Sequence, residues 1–398
     1  MRSSLPLTNG KENISLILTF QQQMTRLETL IEDSSAAKAL EKALNHERLN
    51  HQDGLDIMKS NDLHLIGTVA DEIREKDCSN KVSFVQSYNM NYTNYCVARC
   101  SICAFYRPYK KGVSSPDGYT LTLQEALDQV KDGVSLGATE IHIVGGFNPE
   151  LPVEYYENLF RGIKERWPQV TIKALTLAEV SFIAKITRNS LEELFTRLKQ
   201  AGLDAHTGGG AEIFDPTIRN IISTPPKCNS SEWLHTAEVA HKLGIPGNST
   251  MLYGHVEGPE HIVDHMLRLR DSQDKSPGFL CFIPLKFSPG NTELLKSGKV
   301  TGESSSMLDL KVIATARLLL SNSINNISIY WVALGTELAQ VALGYGGNDL
   351  VGTAFSEKVY GATGRNEVVT IEQMAHLVRE VGRIPVERDT FYKELRLL

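Results

Sequence analysis

The sequence has no uninterrupted apolar run of 18 residues, the length at which a segment reads as a helix that crosses a bilayer. Its longest early candidate, Ile14 to Phe20, is short and sits in a polar context, so neither a membrane span nor an export signal is expected. Basic tracts are also missing, and a net charge of -6 creates no field that would gather nucleic acid. Cysteine is sparse, at six in 398 residues, whereas disulfide frameworks crowd small secreted domains that lack a core. Together these absences point to a soluble cytoplasmic protein that binds a small molecule locally. A hydrophobic fraction of 41% with 22% charged residues leaves ample material for a core, and the length allows one large barrel or two ordinary domains.

From about residue 80 the chain repeats one phrase, an amphipathic helix that stops at glycine and passes into a short apolar strand. The first copy runs through Leu123, Ala126, Leu127 and Val130, stops near Gly137 and continues into Ile141 to Val144, with Thr122 and Glu125 as a capping box. The second, capped by Ser190 and Glu193, stops at Gly202 and enters Leu203 to Ala205. The third ends at Gly244 and enters Ser249 to Tyr253. Further strands are expected over Val82 to Val85, Val170 to Leu175, Phe279 to Phe287 and Ile327 to Val332. About eight alternating units call for a parallel sheet with helices outside, and a (βα)8 TIM-type barrel over residues 81–398 fits better than the alternative, an open doubly wound sheet. Residues 1–80 read as an N-terminal helical extension (Leu16 to Ile31, Ala36 to Leu49, Asp62 to Lys76) across one end of the barrel, with residues 1–10 disordered.

In such a barrel the reacting groups sit where strands end, and the unusual residues fall there. Cys96 to Cys103 follow the first strand, Gly145 and Gly146 the second, Glu179 the third, Thr207 to Glu212 the fourth, and Tyr253 to His255 end the fifth. Cys78, Cys228 and Cys281 stand alone and read as buried or incidental thiols. Cys96, Cys100 and Cys103 are different, with gaps of three and two residues. A closed zinc site takes four ligands, and an ordinary 4Fe-4S cluster is also held by four cysteines. Three cysteines leave one iron of a cluster open to a small molecule. The competing reading is zinc completed by a distant histidine.

The pattern Cys-x3-Cys-x2-Cys after a first barrel strand resembles the radical S-adenosylmethionine superfamily. The residue before the third cysteine, often aromatic there, is Ile102, although Phe105 and Tyr106 follow. The resemblance implies a 4Fe-4S cluster on Cys96, Cys100 and Cys103, with S-adenosylmethionine bound to the open iron and reductively cleaved. Gly145 and Gly146 resemble the superfamily's glycine pair, whose backbone approaches the nucleoside's amino group, with Phe147 where a glutamate often stands. Glu179 resembles a position that faces the ribose hydroxyls, and equally suits a helix start.

Three longer segments, Gly208 to Phe214, Thr250 to Glu257 and Phe282 to Thr292, narrow the resemblance to the aminofutalosine synthases of the futalosine route to menaquinone. Cyclic dehypoxanthine futalosine synthases and deazaflavin cofactor synthase components are sister families. The pairing of Phe282 to Leu285 with Asn291-Thr292, and Phe214 after Ala211 to Ile213, favours the first. The resemblance implies addition of the 5'-deoxyadenosyl radical to 3-[(1-carboxyvinyl)oxy]benzoate, giving 6-amino-6-deoxyfutalosine, methionine and bicarbonate. It also implies a low-potential electron donor of flavodoxin or ferredoxin type. Two substrate carboxylates call for cations or convergent donors. The candidates are the turn Thr207, Gly208, Gly209 and Gly210, with His206, Arg219 and His255 supplying charge or directed donors and Glu212 and Tyr253 orienting them. His261 and His265 have helical spacing, but no glutamate follows His261 as in a metalloprotease, so a solvated helix face is expected.

Overall fold

The computed structural model describes Leu27 and residues 29–398. The disorder expected for residues 1–10, and most of the helix expected from Leu16, lie outside the described residues.

Strands and helices alternate as the sequence pattern requires. Ser87–Asn91, Glu140–Val144 and Thr171–Ala174 form a parallel three-stranded sheet, and Gly247–Tyr253 pairs in parallel with Phe279–Lys286. Lys81–Val85 lies between Asp349–Gly352 and Ile384–Arg388, parallel to both, and Glu394–Leu397 closes that sheet's edge in antiparallel register. Isolated parallel bridges join the sheets: Lys173 with Ala205, His206 with Gly247, Phe282 with Ile327, Ser328 with Asp349, and Tyr88 with Phe355. The fold is therefore mixed α/β with parallel strands and outer helices, its ladder divided into separate sheets rather than run as one closed eight-stranded barrel.

Two expected strands are reduced to bridges. At Leu203 to Ala205 the chain leaves a left-handed Gly202 (φ 119°). Asp204 there turns its carboxylate to the Lys164 ammonium at 2.6 Å and the Ile172 amide at 2.7 Å. At Ile327 to Val332 pairing ends after Ser328, and Trp331–Leu334 coils into a helix, the Trp331 indole donating to the Gly352 carbonyl at 2.9 Å.

Local signals fix the helix starts. Leu123–Ser135 and Leu191–Ala201 begin with the expected capping boxes at Thr122/Glu125 and Ser190/Glu193, and Ser230–Lys242 has a third at Asn229/Glu232; each cap side chain is worth about 1 kcal/mol. Of the N-terminal helices Ala37–Leu44, His51–Lys59 and Leu63–Cys78, the second packs against the outer helices Pro259–Lys275 and Ser306–Leu320, the third against Ser306–Leu320, and the first against the other two. Gly54 permits this: a Cβ there would stand 2.8 Å from Val263 and 3.3 Å from Leu319. Leu40, Ile57, Ile66 and Val69 join the same buried cluster as Val263, Phe160 and Ile143. No helix among the described residues is long and apolar enough to cross a membrane.

Candidate functional site

The three clustered cysteines line one cavity of about 230 Å³. Cys96 ends the short strand Tyr95–Cys96, paired with Arg107–Pro108, and the loop between them is fixed by backbone bonds from all sides. The Val97 amide donates to the Phe147 carbonyl at 3.1 Å, Ser101 to Ile222 at 3.1 Å, Cys103 to Cys100 at 3.1 Å and Leu294 to Ser101 at 2.9 Å, while the Thr224 hydroxyl bonds Ala98. Burial, with a smaller contribution from Cys100, raises the Cys96 thiol, and burial together with Cys100 and Cys96 pushes Cys103 up to about 12. Apolar burial of this kind makes inert thiols unless a metal takes the charge. No histidine lines the cavity, and no three His, Cys, Asp or Glu side chains among the described residues converge on a single metal ion. Three cysteines lining one cavity, with no histidine among its walls, suit a cluster with one free iron better than zinc completed by histidine.

The glycine pair lies against this loop. A Cβ on Gly145 would stand 2.6 Å from the Tyr92 ring, and one on Gly146 would be 2.2 Å from the Tyr95 carbonyl oxygen and 3.1 Å from the Cys96 Cβ. The Gly146 amide donates to the Thr93 carbonyl at 2.9 Å. Glu179 is buried at 2% exposure. It is the third residue of the helix Leu177–Thr187 and forms a capping box with Thr176. Its Oε1 also accepts from the Tyr92 hydroxyl at 2.7 Å and the Gly145 amide at 2.9 Å. Burial raises its carboxyl above the usual range, against the lowering effect of those bonds. Both readings of Glu179 thus meet in one side chain: it starts a helix and it borders the cysteine cavity.

Glu212, at φ 51°, borders the same cavity beside Lys227, to which it is paired. Burial pushes the Glu212 carboxyl up, but the Lys227 ammonium outweighs it and holds the group below its ordinary range. Thr207 and Gly209 border a second chamber of about 210 Å³. Gly208 takes φ 75°, and a Cβ there would fall 1.9 Å from the Asn248 carbonyl oxygen, so only glycine fits. The two spaces share Asn91, Val144, Thr176 and Val359 as common walls.

Four expected contacts are placed elsewhere. Arg219 is buried, and its guanidinium bonds the carbonyls of Cys228 (2.6 and 3.1 Å), Gly210 (3.0 Å) and Ala211, so it holds the glycine turn together from behind. His206 is fully buried, with its Nε2 3.3 Å from the His241 Nε2, and burial keeps it neutral. Tyr253 is fully buried. The Nδ1 of His255 lies 2.9 Å from Glu257 and its Nε2 is 3.1 Å from the Leu252 carbonyl. None of these four lines either space. Strand alternation explains Tyr253: on Gly247–Tyr253 the residues facing the chamber are Asn248 and Thr250, so Ser249, Met251 and Tyr253 face the helices. His265 is not on a solvated face but fully buried, stacked on Phe214 at 3.9 Å.

The same alternation reveals chamber residues that motif reading passed over: Ser87, Asn89 and Asn91 on one strand, Glu140, His142 and Val144 on the next. Lys173 and Arg388 also line the chamber and are both matched, Lys173 to Glu140 at 3.4 Å and Arg388 to Asp349 at 2.6 Å. Burial lowers His142 to about 4, aided by Lys173, so it is neutral near pH 7.

Residues 90–269 match the family model of the Radical SAM superfamily, and residues 276–397 match the CofH/MqnC C-terminal region. An aminodeoxyfutalosine synthase of Thermus thermophilus is 38% identical over 92% of this chain and 98% of its own. A 5-amino-6-(D-ribitylamino)uracil--L-tyrosine 4-hydroxyphenyl transferase of Methanothermobacter thermautotrophicus is 36% identical over 90% and 97%. A cyclic dehypoxanthine futalosine synthase of Halalkalibacterium halodurans is 36% identical over 90% and 94%. Among solved structures, methylornithine synthase (PylB) superposes with a TM-score of 0.66 at 16% identity, covering 87% of this chain and 97% of that one, a likeness of fold. The chain belongs to the radical S-adenosylmethionine superfamily, whose enzymes work with a 4Fe-4S cluster and S-adenosylmethionine, and within it to the group that carries the CofH/MqnC C-terminal region.

Proposed function

We propose that this protein is an aminofutalosine synthase, which joins the 5'-deoxyadenosyl group of S-adenosylmethionine to 3-[(1-carboxyvinyl)oxy]benzoate and yields 6-amino-6-deoxyfutalosine, methionine and, from the lost carboxyl and water, bicarbonate in menaquinone biosynthesis. The observation that carries this reading is the shared wall between the cysteine cavity and the second chamber at Asn91, Val144, Thr176 and Val359. A nucleoside held in the first and an alkene held in the second would meet there. The sister enzymes share the near-full-length likeness at similar identity, and the segments Gly208 to Phe214 and Phe282 to Thr292 favour this member among them; Ile283 and Leu285 give the chamber apolar walls.

Cys96, Cys100 and Cys103 would hold the cluster, which supplies the electron that breaks the bond between sulfur and the 5' carbon. The chain's own residues position and shield. Gly145 and Gly146 bring backbone close to the nucleoside, Glu179 fixes that backbone, and Glu212 with Lys227 closes the far side. Thr207 contributes a hydroxyl that is buried without a partner in the structure, ready to donate to an anionic substrate. Addition to an alkene needs little acid or base help, and it needs alignment and exclusion of water. Arg219, His206, Tyr253 and His255 support the walls rather than touch the reactants. The parallel bridges between the sheets, Tyr88 with Phe355 among them, support a TIM-type arrangement of the strands, with the helices Ala37–Leu44, His51–Lys59 and Leu63–Cys78 as an extension of it. A cytoplasmic flavodoxin or ferredoxin would supply electrons.

The test is product analysis. Anaerobically reconstituted protein is incubated with dithionite, S-adenosylmethionine and 3-[(1-carboxyvinyl)oxy]benzoate, and the products are read by mass spectrometry. Aminofutalosine is expected. An intact cluster that yields 5'-deoxyadenosine as the main nucleoside would move the assignment to a sister enzyme.

A further inference from the structure

We propose that Glu357 contacts the substrate and sets its specificity: the protonated carboxyl donates a hydrogen bond to a carboxylate of the anionic substrate in the second chamber. The inference rests on the dicarboxylate substrate proposed above.

A dianion entering this chamber finds its fixed charges already matched. Lys173 faces Glu140, Arg388 is paired in two places with Asp349 at 2.6 and 3.0 Å, and His142 is neutral. Glu357 is a further acid on the chamber wall, beside Val359 and Tyr360. If ionised it would repel a carboxylate, and if protonated it becomes a donor at that spot. A carboxylic acid kept neutral by an apolar surround is an established way to offer such a donor near pH 7.

Burial favours that state, and the loop fixes the group in place. Its Oε2 accepts from the Tyr360 amide at 2.9 Å. Burial pushes the carboxyl up to about 7, against the lowering effect of the backbone amides of Tyr360, Gly361 and Val359. The titratable groups that face it are Tyr330 and Tyr360, both kept un-ionised by burial, with ring centroids 5.1 Å apart. The Tyr360 hydroxyl is anchored to the Lys286 carbonyl at 2.8 Å. Across the chamber stand Glu140, His142, Lys173, Arg388 and Tyr392, while the neighbouring Lys358 ammonium sits over the Tyr119 ring at 5.7 Å. The approach to Glu357 is also conformationally unusual. Val351, Ala354 and Ser356 take φ of 59°, 48° and 62°, a left-handed region that is rare for such residues and concentrates at functional sites.

The test is binding of 3-[(1-carboxyvinyl)oxy]benzoate to the cluster-loaded, S-adenosylmethionine-saturated enzyme from pH 6 to pH 8.5. Both substrate carboxylates are ionised throughout, so a change belongs to the protein. For the wild type, Kd is expected to rise about tenfold per pH unit above about 7, as loss of one required proton dictates. Glu357→Gln keeps a donor and cannot ionise, so its Kd is expected to stay flat and to beat the wild type at pH 8.5. Glu357→Ala is expected to bind weakly at every pH, with iron content and circular dichroism unchanged. A flat wild-type profile, or a Glu357→Gln profile that still bends near 7, overturns this inference alone. No binding by the wild type at any pH, with S-adenosylmethionine still cleaved, overturns the substrate reading and this inference with it.

Discussion

The Gly145 amide donates to Glu179 at 2.9 Å, so the end of the strand Glu140–Val144 is tied directly to the first turn of the helix Leu177–Thr187. The other carboxylate oxygen takes the Thr176 amide at 2.7 Å, and the Tyr92 hydroxyl completes the set at 2.7 Å. One carboxylate therefore anchors the glycine pair, the approach to the cysteine loop and a helix start.

Replacing Glu179 by Ala removes one half of the capping box and leaves three donors, the amides of Thr176 and Gly145 and the Tyr92 hydroxyl, without their acceptor. A destabilisation of about 2–4 kcal/mol is expected, from the loss of one capping interaction and the orphaning of buried polar groups. Denaturant unfolding checks the loss, and a rise in KM for S-adenosylmethionine with a smaller change in kcat checks the role beside the nucleoside.

Gly146→Ala should be far more damaging to iron binding than its size suggests. Its Cβ would fall 2.2 Å from the Tyr95 carbonyl oxygen, one residue before Cys96, and backbone cannot yield as a flexible side chain can. Iron content after reconstitution is expected to fall at least several-fold. Gly302→Ala, which meets nothing within 4 Å, is expected to match the wild type.

Arg219→Leu should unfold the glycine turn rather than remove a substrate charge. The carbonyls of Gly210, Ala211 and Cys228 lose their donor, and several buried acceptors left unpaired cost about 3 kcal/mol or more. Limited proteolysis across residues 207–228 is expected to speed up, and added guanidinium is expected to restore no activity.

His265 carries a pH signature in stability. Burial lowers it to about 3, against about 6.5 for an unfolded histidine. The native state therefore binds fewer protons between those values, and the contribution is fully present above about 6.5 and lost as pH falls toward 3. The slope from this group is about 1.4 kcal/mol per pH unit inside that window. His265→Gln keeps a donor for the Thr250 carbonyl, now met at 3.0 Å, and should lower the slope of unfolding free energy between pH 4 and 6 by about 1.4 kcal/mol per pH unit, leaving the part due to the other buried histidines His142 and His206.

Helix starts, glycine stops and the cysteine loop were legible because each is written in neighbouring residues: Thr122 with Glu125, Ser190 with Glu193, Cys96 with Cys100 and Cys103. The chamber was less legible because its walls come from alternate residues of separate strands. Asn248 and Thr250 face inward while Tyr253 faces the helices, and only the register decides which set is which. Arg219 and His206 look like ligand contacts in isolation, yet one saturates backbone carbonyls and the other sits against His241. Strands reduced to bridges, as at Ala205 and Ile327, are equally hidden, since Asp204 and Trp331 form their decisive bonds with distant residues.

The fate of the 5' carbon of S-adenosylmethionine tests the proposed reaction most directly. With that carbon labelled by 13C, and with dithionite and 3-[(1-carboxyvinyl)oxy]benzoate present, NMR of the product should show the label bonded to a former vinyl carbon, with adenine retained. Label found only in the methyl group of free 5'-deoxyadenosine would contradict carbon-carbon bond formation by this enzyme.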